Sequence, residues 1–93
     1  MRKITQQIKD IFSSDSNGTI NNTEVKDGCV YLLDNKIIEK RIDGIYFSLA
    51  GWNSNMTHER LRGILGIDLC RSKGKILFNG KEIDKNGWYS IAV

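Results

Sequence analysis

The beginning of the chain has the apolar spacing of an amphipathic helix. Four apolar residues follow the i, i+4, i+7, i+8 pattern that forms one stripe along a helix: Ile4, Ile8, Ile11 and Phe12. Residues 13–18 end this pattern, because they prefer turns and hydrogen-bond to their own backbone. The pattern predicts an N-terminal helix within residues 1–13. The turn after it is a linker and not a domain boundary, since a lone helix cannot bury its own stripe.

Between residues 19 and 49 the pattern changes to short strands separated by turns. Three residue pairs tolerate positive φ at low cost and are typical of hairpin turns: Asp27-Gly28, Asp34-Asn35 and Asp43-Gly44. Because the connections are short, we expect consecutive strands to pair antiparallel as a meander. The stretch from Thr19 to Val25 is polar, which favours a single edge strand there.

The second half of the chain predicts a helix over residues 57–65 and strands over residues 67–93. Thr57 is the expected N-cap of the helix, and Gly66 is placed to end it. The final strands include a hairpin at Asn79-Gly80, and the chain stays apolar up to Val93, which we expect to join the sheet.

These elements together predict one α+β domain over residues 1–93. We expect an antiparallel sheet of five or six strands, built from the meander and a C-terminal hairpin. The N-terminal helix and the second helix are expected to pack on one face of this sheet.

The composition is that of a folded protein with a mild positive charge. Hydrophobic residues make up 40% of the 93 residues and charged residues 27%, and the formal net charge is +3. The basic residues are spread along the chain, which permits contact with nucleic acid but lacks the concentrated stripe of a dedicated nucleic-acid binder. No stretch approaches the roughly 18 apolar residues of a membrane helix, and the N-terminus lacks a signal-peptide core, so we expect a cytoplasmic protein.

No combination of residues predicts catalysis, a metal site or a cofactor. The only histidine, His58, is followed by Glu59, but the HExxH zinc pattern fails at its fifth position. The two cysteines, Cys29 and Cys70, lie far apart in strand-like surroundings, which favours half-buried apolar side chains over a disulfide or metal site. We therefore expect a protein that acts by binding and not an enzyme.

The most unusual segment is the polar connection between Leu49 and Leu61, because it contains Trp52. This side chain is either a lid that covers the core or a contact residue for a partner. An aromatic ring of this size dominates the core energetics of a small domain, which favours the lid. As a contact residue it would be an aromatic anchor, since binding hot spots favour Trp, Tyr and Arg.

Basic residues after this segment are candidates for the same surface. Arg60 and Arg62 would lie about 160° apart around a helix, so they cannot contact one run of phosphates without help from the strands. The turn that carries Arg71, Lys73 and Lys75 is a better candidate. For this turn, however, a solvated loop whose charges prevent edge-to-edge pairing of strands is favoured over a binding role.

Three short motifs resemble a family of small proteins from tailed bacteriophages and prophages: Asn35-Lys36-Ile37-Ile38, Gly51-Trp52-Asn53-Ser54, and Thr57 with Arg60-Leu61. The resemblance covers about residues 29–65, and the chain departs from the family pattern at Met56 and Arg62. The resemblance implies a phage setting, in which small accessory proteins bind a host component and block or redirect it. Inhibitors of bacterial immunity, anti-CRISPR proteins among them, are compact proteins of this kind.

The leading hypothesis is a phage- or prophage-encoded protein that inhibits a host protein or ribonucleoprotein complex, with a CRISPR–Cas effector as the specific candidate. The predicted partner surface consists of Trp52, Asn53, Asn55, Arg60, Arg71, Lys73 and Lys75. The alternative is a direct nucleic-acid binder that stacks bases on strand aromatics, namely Tyr31, Tyr46 and Phe47. A third possibility is self-association, although a monomer is favoured over a homodimer.

Overall fold

The computed structural model describes residues 3–91, which form two helices and nine strands. The helices are α1 (Lys3–Ser13) and α2 (Asn55–Leu65). The strands are β1 (Gly18–Ile20), β2 (Thr23–Lys26), β3 (Cys29–Leu32), β4 (Asn35–Arg41), β5 (Gly44–Phe47), β6 (Leu69–Ser72), β7 (Lys75–Phe78), β8 (Lys81–Ile83) and β9 (Tyr89–Ser90). The predicted helix start at residues 1 and 2 and the predicted place of Val93 lie outside the described residues.

The strands form two antiparallel sheets. Six strands pair in the order β1-β2-β3-β4-β5-β9, and β6, β7 and β8 form a separate three-stranded sheet. The α+β class, the meander and the C-terminal hairpin are therefore confirmed, with the hairpin in a sheet of its own. The two sheets share one core, because Phe47 of β5 meets Phe78 of β7 edge to face, with ring centroids 4.9 Å apart.

One face of the six-stranded sheet carries the core. Burial alternates along β3, where Val30 and Leu32 are buried while Cys29 and Tyr31 are partly exposed, as expected for a sheet covered on one side. Helix α1 packs against β1, β2 and α2, and α2 also packs against β4 and β6. The side of the sheet that carries Tyr31 is therefore open.

Two predicted element boundaries were wrong. The predicted N-cap Thr57 is a buried residue of the first helical turn, and Ser54 caps α2 instead, accepting the Thr57 N–H at 3.2 Å. The edge strand predicted within residues 19–25 ends earlier than expected: β1 forms the edge of the sheet, and Asn21 turns the chain into β2 with φ of 56°. The predicted helix end at Gly66 is confirmed, since this residue adopts φ of 66° as the C-cap.

A polar cluster inside the core joins the two helices to the sheet. Arg60 is only 1% exposed, and its guanidinium donates to Thr5 Oγ1 at 2.9 Å and to Thr23 Oγ1 at 3.2 Å. It also pairs with Glu59, which accepts from the Thr5 hydroxyl at 2.5 Å. Arg60 therefore does not lie on the surface, which corrects its assignment to the partner surface.

Candidate partner-binding surface

An apolar cleft of about 170 Å³ opens between the β3–β4 turn and the start of α2. Its walls include Leu33, Ile37, Leu49, Trp52 and Met56. Leu33 and Trp52 are 63% and 60% exposed, so the lid interpretation of Trp52 was wrong. Exposed apolar side chains that flank one concave site are typical of binding surfaces.

A tight turn presents Trp52 to solvent. The Trp52 N–H donates to the Leu49 carbonyl at 2.9 Å across Ala50 and Gly51, whose φ values of 53° and 84° are those of a type I′ turn. The Gly51 N–H also donates to the Lys85 carbonyl at 2.9 Å, which fastens the turn to the C-terminal segment. The hydrogen bonds of this turn therefore fix the backbone position from which the Trp52 side chain extends.

A second strained turn exposes Leu33. Leu33 and Asp34 have φ of 50° and 67°, so the β3–β4 turn lies one residue before the predicted Asp34-Asn35 pair. The Leu33 N–H donates to the Asn22 carbonyl at 2.9 Å, and the Asn35 side chain donates to the Leu33 carbonyl at 3.0 Å. Left-handed backbone costs a residue such as leucine about 1–2 kcal/mol, so the sequence carried no signal for this turn.

Asn53, Asn55 and Arg71 form a polar rim beside the cleft, since Asn53 and Asn55 flank the lining residue Ser54 and both bond to Arg71. Arg71 of β6 donates to the Asn55 side chain and, at 3.3 Å, to the Asn53 carbonyl. These residues come from the loop before α2, the first residue of α2 and the small sheet. The fold thus brings together four of the seven residues predicted for the partner surface. These are Trp52, Asn53, Asn55 and Arg71.

His58 supports this rim from inside the protein. The imidazole is only 2% exposed, and its Nε2 lies 2.7 Å from Asn53 Oδ1, which accepts the proton of that nitrogen. Burial lowers the pKa of His58 below its usual 6.5, and the positive charges of Arg71 and Arg62 lower it further. A neutral His58 therefore holds Asn53 in place. Sequence reasoning missed this support, because it weighed the histidine for metal binding and catalysis and not as a structural donor.

The two predicted lysines lie on the hairpin that leads away from the rim. Lys73 and Gly74 form its turn, with φ of 51° and 79°, while Arg71 and Lys75 belong to the paired strands β6 and β7. Lys75 Nζ lies 3.8 Å from Glu82 Oε1, and both side chains are well exposed. An open polar groove of about 370 Å³ connects this pair with Asn53. The lysines thus extend the rim without lining the cleft.

The open face of the six-stranded sheet is a separate surface of aromatic and charged side chains. The Arg41 guanidinium lies 4.2 Å from the Tyr46 ring centroid and 5.6 Å from that of Trp88. Glu39 accepts from Arg41 at 2.8 Å and from Lys36 at 3.2 Å, and these bonds lower the pKa of Glu39. Tyr46 is on this face.

Two sequence-based assignments need correction against this arrangement. Phe47 is fully buried against Phe78, so its assignment as a stacking residue was wrong, whereas Tyr31 does lie on the open face. Cys29 is half-buried as expected, but Cys70 is exposed on β6.

Within residues 3–91, no three or more His, Cys, Asp or Glu side chains lie together as a metal site would need. In the same part of the chain, neither helix has the length and apolar character required to cross a membrane.

The fold and the cleft define a small α+β protein with an exposed tryptophan at the edge of an apolar surface site. Residues 1–91 match the family described as Kyanoviridae Gp96 protein, and the chain belongs to this cyanophage family. This match confirms the phage origin predicted from the three motifs. No curated protein and no solved structure matches the chain.

Proposed function

We propose that this phage protein binds a host protein, or a ribonucleoprotein complex that contains one, and inhibits it by covering part of its surface. The observation that carries the proposal is the exposure of Leu33 and Trp52 on both sides of one apolar cleft. Leu33 itself has left-handed backbone, and Trp52 follows a turn in which Ala50 does. These conformations have a cost that burial of the two side chains in an interface would offset.

The cleft and its rim suit different parts of an interface. An apolar side chain of the partner would enter the cleft and lie against Trp52, the kind of residue that dominates binding hot spots. Arg71 retains free donor capacity beyond its bonds to Asn53 and Asn55, so it can contact a carboxylate or carbonyl of the partner. Lys73 and Lys75 would mainly accelerate association with an acidic surface.

The host target is a second part of the proposal. Phage accessory proteins of this size commonly act on host defence, and a CRISPR–Cas effector is the candidate we would examine first. Nothing in the cleft selects this target by its chemistry, so the experiment must leave the choice of host protein open.

The test is a pull-down from a host lysate with tagged protein, performed with and without nuclease. We expect a stoichiometric host protein that survives nuclease treatment, is lost with Trp52→Ala and is retained with Trp88→Ala. Trp88 is the matched control because it is the other tryptophan and lies on the open sheet face. Equal loss with both variants, or recovery of nucleic acid alone, would contradict the proposal.

The open sheet face supports a second candidate function, binding of single-stranded nucleic acid. Tyr31, Tyr46 and Trp88 offer rings for base stacking, and Lys36 and Arg41 lie beside them. Glu39 offsets part of this positive charge, which weakens the case relative to the cleft. This function predicts that affinity for oligonucleotides falls steeply with salt and with Tyr46→Ala, but not with Trp52→Ala.

A further inference from the structure

We infer that the protein associates with itself by inserting Ile42 of one copy into the Trp52 cleft of another. Ile42 occupies the two-residue turn between β4 and β5 and has a relative exposure of 110%. Three large apolar side chains of residues 3–91 are exposed. Ile42 is one of them, and the other two, Leu33 and Trp52, border the cleft. The surface therefore carries one apolar knob, which is the Ile42 side chain, and one apolar hole, which is the cleft bordered by Leu33 and Trp52.

The hairpin turn gives Ile42 no local reason to be apolar. Turns of this kind favour Asn, Asp and Gly, and a β-branched aliphatic side chain gains nothing from full exposure to water. A single exposed aliphatic residue is common on protein surfaces and would carry no inference alone. The matching cleft on the same molecule is what makes Ile42 informative.

The cleft has the size that the knob requires. Its volume of about 170 Å³ is similar to that of apolar cavities of about 150 Å³ that accept a benzene ring. The four side-chain carbons of isoleucine are fewer than the six of benzene. The cleft therefore has room for the Ile42 side chain.

The knob and the hole cannot meet within one copy. Asn35, the first residue of β4, lines the cleft, whereas Ile42 follows Arg41, the last residue of that strand. A strand of this length spans roughly 20 Å. The contact must therefore be intermolecular, and it joins two different surfaces, which leads to a reciprocal pair, a ring or a chain of copies.

Charges around the two surfaces are complementary. Ile42 lies between Arg41 and Asp43, which are both exposed. Beside the cleft, exposed Asp34 follows the lining residue Leu33, and exposed Arg71 bonds to Asn55, which precedes the lining residue Met56. Each charged neighbour of the knob thus has an opposite charge available beside the hole, which favours a second copy as the occupant.

This inference does not require the proposed host partner, although both ligands would use the same cleft. A bound host protein would exclude Ile42 and dissociate the assembly. The inference therefore predicts that self-association and host binding compete.

Sedimentation velocity over a wide range of protein concentrations tests the inference. We expect the wild-type chain to form species heavier than the 10.6 kDa monomer as concentration rises. Ile42→Asn should weaken association at least about tenfold, the amount expected from losing a buried isoleucine contact. Ile42→Val should retain association, because it keeps the apolar knob. A wild-type chain that stays monomeric, or an Ile42→Asn variant that associates equally well, would overturn the inference.

A sharper test mixes two variants that each lack one side of the contact: Ile42→Asn, which lacks the apolar side chain that enters the cleft, and Leu33→Asn. Leu33→Asn removes one wall of the cleft and should preserve the fold, because asparagine tolerates the φ of 50° at this position. Each variant alone should be monomeric, whereas an equal mixture should form dimers from the intact knob of one and the intact cleft of the other. A mixture that remains monomeric would reject the proposed contact.

The host pull-down separates this inference from the proposed function. Ile42→Asn leaves the cleft intact and should capture the host protein at least as well as the wild type does, because self-association no longer competes for the cleft. Loss of self-association with retained capture would confirm the contact and leave the host function standing. Retained self-association in that variant would reject the contact alone.

Discussion

The protein contains two clusters centred on arginine, one inside the core and one at the surface. Arg60 is buried and bonds to Thr5, Thr23 and Glu59, which fixes α2 against α1 and β2. Arg71 is exposed and bonds to two groups at the rim of the cleft. The same guanidinium chemistry thus holds the fold together in one place and shapes a binding surface in the other.

Arg60 and Arg71 have different roles because their bonding partners and their exposure to water differ, although their side chains are the same. The buried guanidinium has acceptors from three elements, which compensate for its loss of water. The exposed one keeps its hydration, so its bonds contribute little to stability and remain exchangeable for those of a ligand. Substitutions in each cluster should therefore change different properties of the protein.

The largest effect is expected for Arg60→Ala. This change removes the buried guanidinium that bonds to Thr5, Thr23 and Glu59, and breaking such a buried ion pair costs about 3–5 kcal/mol. Urea denaturation should show this loss in the free energy of unfolding. Arg62→Ala is the control, because Arg62 lies on the exposed side of the same helix and should change stability by about 0.5 kcal/mol or less. Equal effects of the two substitutions would contradict the assigned roles.

A smaller effect is expected from the protonation of His58, which links the core to the rim. Its pKa is lower in the folded protein than in the unfolded chain, so only the unfolded chain gains a proton as the pH first falls below about 6.5. The contribution of His58 to stability is thus complete above that pH and decreases as the pH falls through the folded pKa.

Urea titrations between pH 7.5 and pH 5.5, a window about one unit on either side of the usual histidine pKa, would measure this dependence. His58→Gln keeps a donor for Asn53 but cannot titrate, so its stability should be nearly constant over this window. A variant with the same pH dependence as the wild type would show that another group is responsible.

The smallest change in stability is expected for Arg71→Ala. An exposed arginine that bonds to neutral groups should contribute less than about 1 kcal/mol to the free energy of unfolding. Capture of the host protein should nevertheless fall, because the variant lacks the cation at the rim. The thermal melt and the pull-down should be compared on the same preparation. A large loss of stability would place Arg71 with Arg60 as a structural residue.

Much of the fold could be predicted because local patterns determine it. The stripe containing Ile8 and Phe12 predicted α1, and both residues are buried in the core. The Asn79-Gly80 pair predicted a hairpin turn, and the two residues have φ of 52° and 82°. In these places the local preference and the tertiary structure agree.

The candidate site was only partly predictable because long-range contacts decide it. Arg60 is buried by threonines of α1 and β2 that are distant in sequence. Trp52 is exposed because the turn before it is held by a hydrogen bond to Lys85, which lies more than thirty residues later in the sequence. Leu33 was missed because leucine is an uncommon residue at positive φ. Two of these three positions, Trp52 and Leu33, line the cleft, whereas Arg60 lies in the core.

The left-handed backbone of Leu33 has a consequence for how this protein would evolve in the laboratory. Replacement by asparagine or glycine should relieve about 1 kcal/mol of conformational cost at that turn. A selection for thermal stability alone would therefore enrich these replacements and erode one wall of the cleft. A selection that also demands partner binding would retain leucine, and the contrast between the two populations would reveal what this residue is kept for.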